Sequence, residues 1–160
     1  MSTAFTPCLD ILPEAQRRLW PELVGTPADF TLYGGTAIAL HLGHRQSIAF
    51  DFFAQTPFEP DALLRQIPYL KGAVVRQSSP NTLTTTVERT GPVQVSFSGG
   101  LGLGQVEAPD FIKDLNLAIA SLNMLAAASI IFGPQFNQLD ALKAIAYYQD
   151  PSLAGLSEEV

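Results

Sequence analysis

Apolar and polar positions alternate most clearly in Ser47-Ile-Ala-Phe-Asp-Phe-Phe53, where Ile48, Phe50 and Phe52 share one side and Ser47, Ala49, Asp51 and Phe53 the other. Period two over that length predicts a strand with one face in a core. Upstream, Phe30-Thr-Leu-Tyr33 is a short β-rich run that stops at Gly34-Gly35, so a strand is expected to end in a glycine turn. Thr36 is placed to cap a helix over Ala37 to Leu42, with Ile38 and Leu42 on one face and Gly43 as its stop. An earlier helix is predicted from Pro13-Glu14, ended or kinked at Pro21.

Downstream, Pro60-Asp61 opens a helix with Leu63, Leu64 and Ile67 as its apolar stripe. Ala73 to Arg76, Thr82 to Glu88 and Val93 to Phe97 follow as strands, separated by the turns Ser79-Pro80-Asn81 and Thr90-Gly91-Pro92. An antiparallel stretch is expected there. Gly99 to Gly104 is rich in glycine with no lysine after it, which reads as a flexible connection rather than a phosphate loop. Leu115 to Phe132 carries no charge over a length near that of a membrane-spanning helix. Asn116, Ser121, Asn123 and Ser129 interrupt it and neither an aromatic belt nor a Lys/Arg bias flanks it, so it reads as a buried strand followed by a core helix. A further helix is predicted from Pro134 to about Tyr148, before Pro151, and Ser157 to Val160 read as frayed.

Composition narrows the function. At 160 residues, 47% of them hydrophobic, the chain suits a single domain over 1–160 with a sizeable core. One cysteine, Cys8, excludes a disulfide framework and a multi-thiolate zinc site, and it reads as inert packing in a reducing compartment. No charged and apolar leader opens the chain, so the cytoplasm is the expected location and no membrane is implied. With 9 Lys+Arg against 15 Asp+Glu, a net charge of −6 argues against strong direct nucleic-acid binding through phosphate neutralisation. His41 and His44 read as helix-surface and loop residues, Trp20 and the phenylalanines as core, and nothing places Glu88 or Asp140 at a site.

Chemistry concentrates between residues 32 and 53. A strand, a glycine pair and a helix start offer backbone N–H groups and a positive dipole end to a triphosphate. Acids at i and i+2 on the next strand would point the same way and hold two metal ions that clamp the attacking and leaving oxygens of an in-line displacement. Here that strand reads Ser47-x-Ala49-x-Asp51, with one acid of the two. Asp51 is either a metal ligand or a solvated or hydrogen-bonded carboxylate. Arg45 and Ser47 could contact phosphate, Arg45 through its planar fork of donors, or simply anchor the loop.

The segment Leu32-Tyr-Gly-Gly-Thr-Ala-Ile-Ala-Leu-His-Leu-Gly-His-Arg-Gln-Ser-Ile-Ala-Phe-Asp-Phe-Phe53 resembles the signature of the AbiEii/AbiGii toxin-like nucleotidyltransferases. The order of strands and C-terminal helices agrees loosely over most of the chain. The resemblance implies an α+β fold of the nucleotidyltransferase superfamily, a mixed sheet with flanking helices and a C-terminal helical part. It also implies Mg²⁺-dependent transfer of a nucleotide from a nucleoside triphosphate to an RNA or protein acceptor, in a toxin-antitoxin setting.

Carried over by position, Gly34 and Gly35 match the family's glycine pair and Asp51 matches the second carboxylate of its Asp-x-Asp, while Ala49 occupies the first. The strand expected to offer a third acid has Gln94 and Ser96, and the stretch Asn123 to Ile131 lacks the charges that relatives tend to show. Losing one stabilising group from such a site typically costs roughly 100- to 1000-fold in rate. The expectation is therefore a degenerate site in which Asp51 holds Mg²⁺ weakly or not at all. Gly34, Gly35, Thr36, Arg45 and Ser47 remain candidates for nucleotide contacts. The protein would act by binding, with an antitoxin, another protein or a second copy of the chain as candidate partners, and the active Mg²⁺-dependent toxin is the alternative. An introduced change at Ala49 would not account for the uncharged stretch 123–131, which favours natural degeneration. Ala49 and Asp51 are expected side by side, facing a cleft beside Gly35.

Overall fold

The computed structural model of the chain describes residues 3–43, 46–47, 49–100, 108–121 and 124. Its centre is an eight-stranded mixed sheet in the order β1-β7-β8-β2-β3-β6-β5-β4. The strands are β1 (Thr3–Ala4), β2 (Thr31–Tyr33), β3 (Ala49–Phe53), β4 (Val74–Ser79), β5 (Thr82–Glu88), β6 (Pro92–Ser98), β7 (Asp110–Ile112) and β8 (Leu117–Ile119). Three helices accompany them among the described residues: α1 (Glu14–Leu19), α2 (Gly34–Leu42) and α3 (Pro60–Gln66). The α+β class expected from the sequence is what the fold shows.

Strand β3 lies between β2, antiparallel to it, and β6, parallel to it. A parallel neighbour cannot be reached by a tight turn, and the crossover from β3 to β6 runs through α3, β4 and β5. The stretch β4-β5-β6 is antiparallel as expected, although β4 runs to Ser79 rather than stopping at Arg76, with a bulge between Val75 and Gln77. Phe50 and Phe52 are wholly buried, and Phe52 stacks on Phe97 of β6. Phe53 departs from the predicted polar side: alternation of half-buried and buried residues holds over Ala49 to Phe52, but Phe53 is buried at the strand's end, stacked on Tyr33 with ring centroids 4.6 Å apart.

Helix α1 passes at Trp20 into a 3₁₀ turn that runs to Gly25, so the chain does change course at Pro21. Trp20 joins the core and faces Phe50 at 6.2 Å. Helix α2 starts at Gly34 rather than Ala37, and no side chain caps it. Thr36 sits inside its first turn with its hydroxyl committed elsewhere. Gly43 ends the helix in a left-handed conformation at φ 64°, as its position predicted.

Three further features correct or extend the sequence reading. His41 is no surface residue: its side chain is 5% exposed, stacks on Phe5 at 4.5 Å and lies 2.8 Å from the carbonyl oxygen of Ala120. Strand β8 is the buried strand expected at the start of the uncharged segment, and Met124 just beyond it is buried. Strands β1 and β7, which pair with each other in parallel, carry too few residues to show alternation. His44, Arg45, the end of the glycine-rich connection at 101–104, residues 125–131 and the helix predicted over 134–148 with Asp140 lie outside the described residues. No helix among those described is long and apolar enough to cross a membrane.

Candidate functional site

The site forms where β2 hands over to α2. Tyr33, the last residue of β2, is the register partner of Asp51 on β3, and Gly34 follows at φ +80°. A side chain at Gly34 would begin 2.9 Å from Asp51 Oδ2, so two constraints converge on glycine there: a left-handed backbone and a carboxylate against it. Of the glycine pair, Gly34 is held against Asp51. The contact also sets the carboxylate close to the positive end of α2.

On its other side Asp51 meets β6. The parallel register pairs Asp51 with Ser96 and Ala49 with Gln94. Ser96, nearly buried, donates its hydroxyl hydrogen to Asp51 Oδ1 at 2.6 Å. Burial pushes the Asp51 carboxyl above its ordinary value, and the Ser96 hydrogen bond partly opposes that shift. Ala49 and Asp51 are both half-buried, two positions apart on one strand and therefore on one side of it. Gln94, beside Ala49, is exposed.

Beneath this pair lies a buried polar chain that sequence reasoning did not find. Gln16 Nε2 donates to Ser47 Oγ at 2.7 Å, Ser47 Oγ is 2.7 Å from Thr36 Oγ1, and Thr36 donates to the carbonyl oxygen of Ala49. A carbonyl can only accept, so Thr36 spends its single hydroxyl hydrogen on Ala49, and Ser47 must then donate to Thr36. Every hydrogen in the chain runs one way, from α1 to β3. All three side chains are buried. Their job in the described structure is to tie α1, α2, the start of β3 and the segment before it together. Gln16 lies 31 positions upstream of Ser47, and no local spacing announces it.

Among the described residues no three of His, Cys, Asp and Glu converge as metal ligands would. A cavity of about 400 Å³ opens elsewhere, between the N-terminal segment and β7, lined in part by Phe5, Leu9, Trp20, Ile112 and Lys113. None of the site residues borders it. The predicted contact Arg45 lies outside the described residues; of the others, Gly34 lies against Asp51 and Thr36 hydrogen-bonds Ser47.

The mixed sheet with flanking helices is the fold the resemblance implied, and the glycine pair and Asp51 that carried it lie at a strand-to-helix junction and on the neighbouring strand. Comparison with family models agrees: the model described as "Nucleotidyl transferase AbiEii toxin, Type IV TA system" matches residues 19–113. The chain belongs to the AbiEii nucleotidyl transferase toxin family. Comparisons with curated proteins and with solved structures give no match. The matched region runs from the end of α1 to the end of β7 and so takes in the Gly34–Asp51 junction, the antiparallel stretch and Ser96.

Proposed function

We propose that this AbiEii-family protein keeps the nucleotidyltransferase architecture but not the transfer chemistry, and that it acts by binding, to a nucleoside triphosphate weakly and to a protein partner such as an antitoxin. The observation that carries the reading is the methyl group of Ala49 on the side of β3 where Asp51 presents its carboxylate. Nucleotide transfer relies on positioning and on charge stabilisation by metal ions, so a lost carboxylate removes part of the main catalytic effect.

The donor set supports the same conclusion. Mg²⁺ takes near-octahedral oxygen ligands, with one or two carboxylates beside waters and phosphates, and a two-ion clamp needs acids that can be shared. Here position 49 carries alanine, and the strand expected to offer a third acid carries Gln94 and Ser96 beside it. Ser96 puts a hydroxyl, not a carboxylate, against Oδ1 of Asp51, and Ala49 brings no side-chain oxygen at all. These residues do not fit a pair of Mg²⁺ ions. The Thr36 and Ser47 hydroxyls are engaged with each other and with the Ala49 carbonyl, which supports a role for them in the fold and the backbone at Gly34-Gly35 as the proposed nucleotide contact.

The test is incubation with labelled nucleoside triphosphates and Mg²⁺ for this chain and for Ala49→Asp. The reading expects no label transfer by the unmodified chain. Transfer that appears in Ala49→Asp, or a thermal shift with nucleotide and no transfer, supports it. Turnover by the unmodified chain with its own acceptor would overturn it in favour of the active toxin.

A further inference from the structure

A second surface stands apart from the Gly34–Asp51 junction. Strand β4 ends the sheet among the described residues and pairs on one side only, with β5. All six of its residues are exposed, including Val74 at 52% and Val75 at 42%. An edge of this kind presents unpaired backbone N–H and C=O groups and invites another strand. Its charge is the reverse of the chain's. Residues 71–79 hold Lys71 and Arg76 and no acid, on a chain of net charge −6, and both cations are exposed with no ion pair among the described residues. Arg76 Nε donates to Thr86 Oγ1 of β5 at 3.0 Å, which lays the guanidinium along the sheet.

We propose that β4 is a docking edge for an extended, acidic segment of another protein, added as a further strand. Main-chain hydrogen bonds would supply affinity, Val74 and Val75 apolar contact, and Lys71 and Arg76 the selection for acidic side chains. A second copy of this chain is the wrong occupant. It would bring the same cationic edge against itself with no acid on either to pair it, and the bulge at Arg76 interrupts the flat register that self-pairing needs. This inference does not depend on what happens at Asp51.

The probe is a labelled peptide of alternating Val and Glu matching β4 in length, compared by fluorescence anisotropy with its Val and Lys counterpart on the full chain. The acidic peptide is expected to bind about tenfold or more tightly than the basic one, and to weaken when salt rises from about 50 to about 500 mM. Arg76→Glu, at an exposed position, is expected to remove that preference while thermal unfolding is unchanged, and the peptide should slow amide exchange over 74–79. If Arg76→Glu alters unfolding, Lys71→Glu with the same exchange readout carries the test. Equal binding of both peptides, exchange protection elsewhere, or concentration-dependent self-association that Arg76→Glu abolishes would each overturn the proposal.

Discussion

Asp51 Oδ2 stands 2.9 Å from the point where a side chain on Gly34 would begin, closer than a real Cβ tolerates. Gly34→Ala therefore meets two costs. Holding alanine at φ +80° costs about 1–2 kcal/mol, and the carboxylate must also move away from the helix start. In an Asp51→Ala background the second cost should largely vanish while the first remains. Urea unfolding of the single variants and of the double variant separates them. Additive losses would show that the two residues do not press on each other.

The Asp51 carboxyl also leaves a signature in pH. Burial raises it above its ordinary value of 3.8, and the Ser96 bond lowers it in part. A carboxyl raised in the folded state holds its proton more tightly there than in the unfolded chain. Its contribution is complete below the unfolded value and is lost as pH rises through the folded one. Glu22 runs the other way, since its hydrogen bond to Arg89 lowers it and its contribution fades as pH falls. The difference between the wild type and Asp51→Asn cancels Glu22. That difference should turn against the wild type as pH climbs from about 4, where the unfolded carboxyl titrates. A flat difference across acid pH would contradict the burial of Asp51.

His41 gathers three parts of the chain that lie far apart in sequence. Its nearly buried ring stacks on Phe5, meets the Ala120 carbonyl at 2.8 Å and lies 3.7 Å from Asp110 Oδ2 of β7. His41→Ala should cost roughly 2–4 kcal/mol, from the void and the lost carbonyl partner together. The loss should be local at first, so amide exchange in residues 5–8 and 110–112 should quicken before that of β5 and β6. Uniform acceleration would mean that His41 does not clasp the N-terminal segment to the sheet.

How far the sequence carries depends on whether the deciding contact is local. Strand β5 is legible because seven residues alternate inside and outside with turns at both ends. The Gly34-Gly35 turn and the strand bearing Asp51 are legible for the same reason, and they are the part of the site that resembles a known family. Thr36 and Ser47 show the limit. Hydroxyls beside a glycine turn are what a phosphate site uses, and only the folded chain reveals that Gln16 and the Ala49 carbonyl claim them first. Strands β1 and β7 exist through their pairing with each other and with β8 rather than through any pattern of their own.

The Gln16–Ser47–Thr36 chain makes the sharpest separation between a structural and a ligand role. Ser47→Ala removes the acceptor of the Gln16 amide and the donor to Thr36 in one step, among side chains that are all buried. A buried donor left unpaired costs about 1–3 kcal/mol. Replacing Gln16 as well, in the variant Gln16→Leu/Ser47→Ala, removes the orphaned amide and should recover part of that loss, because two apolar groups in place of a bonded pair are close to neutral. If Ser47 instead served a triphosphate, Ser47→Ala would leave urea stability unchanged and diminish the thermal shift produced by nucleotide. Measuring both quantities on both variants decides which it is, and the proposed structural role expects the effect in the unfolding curve.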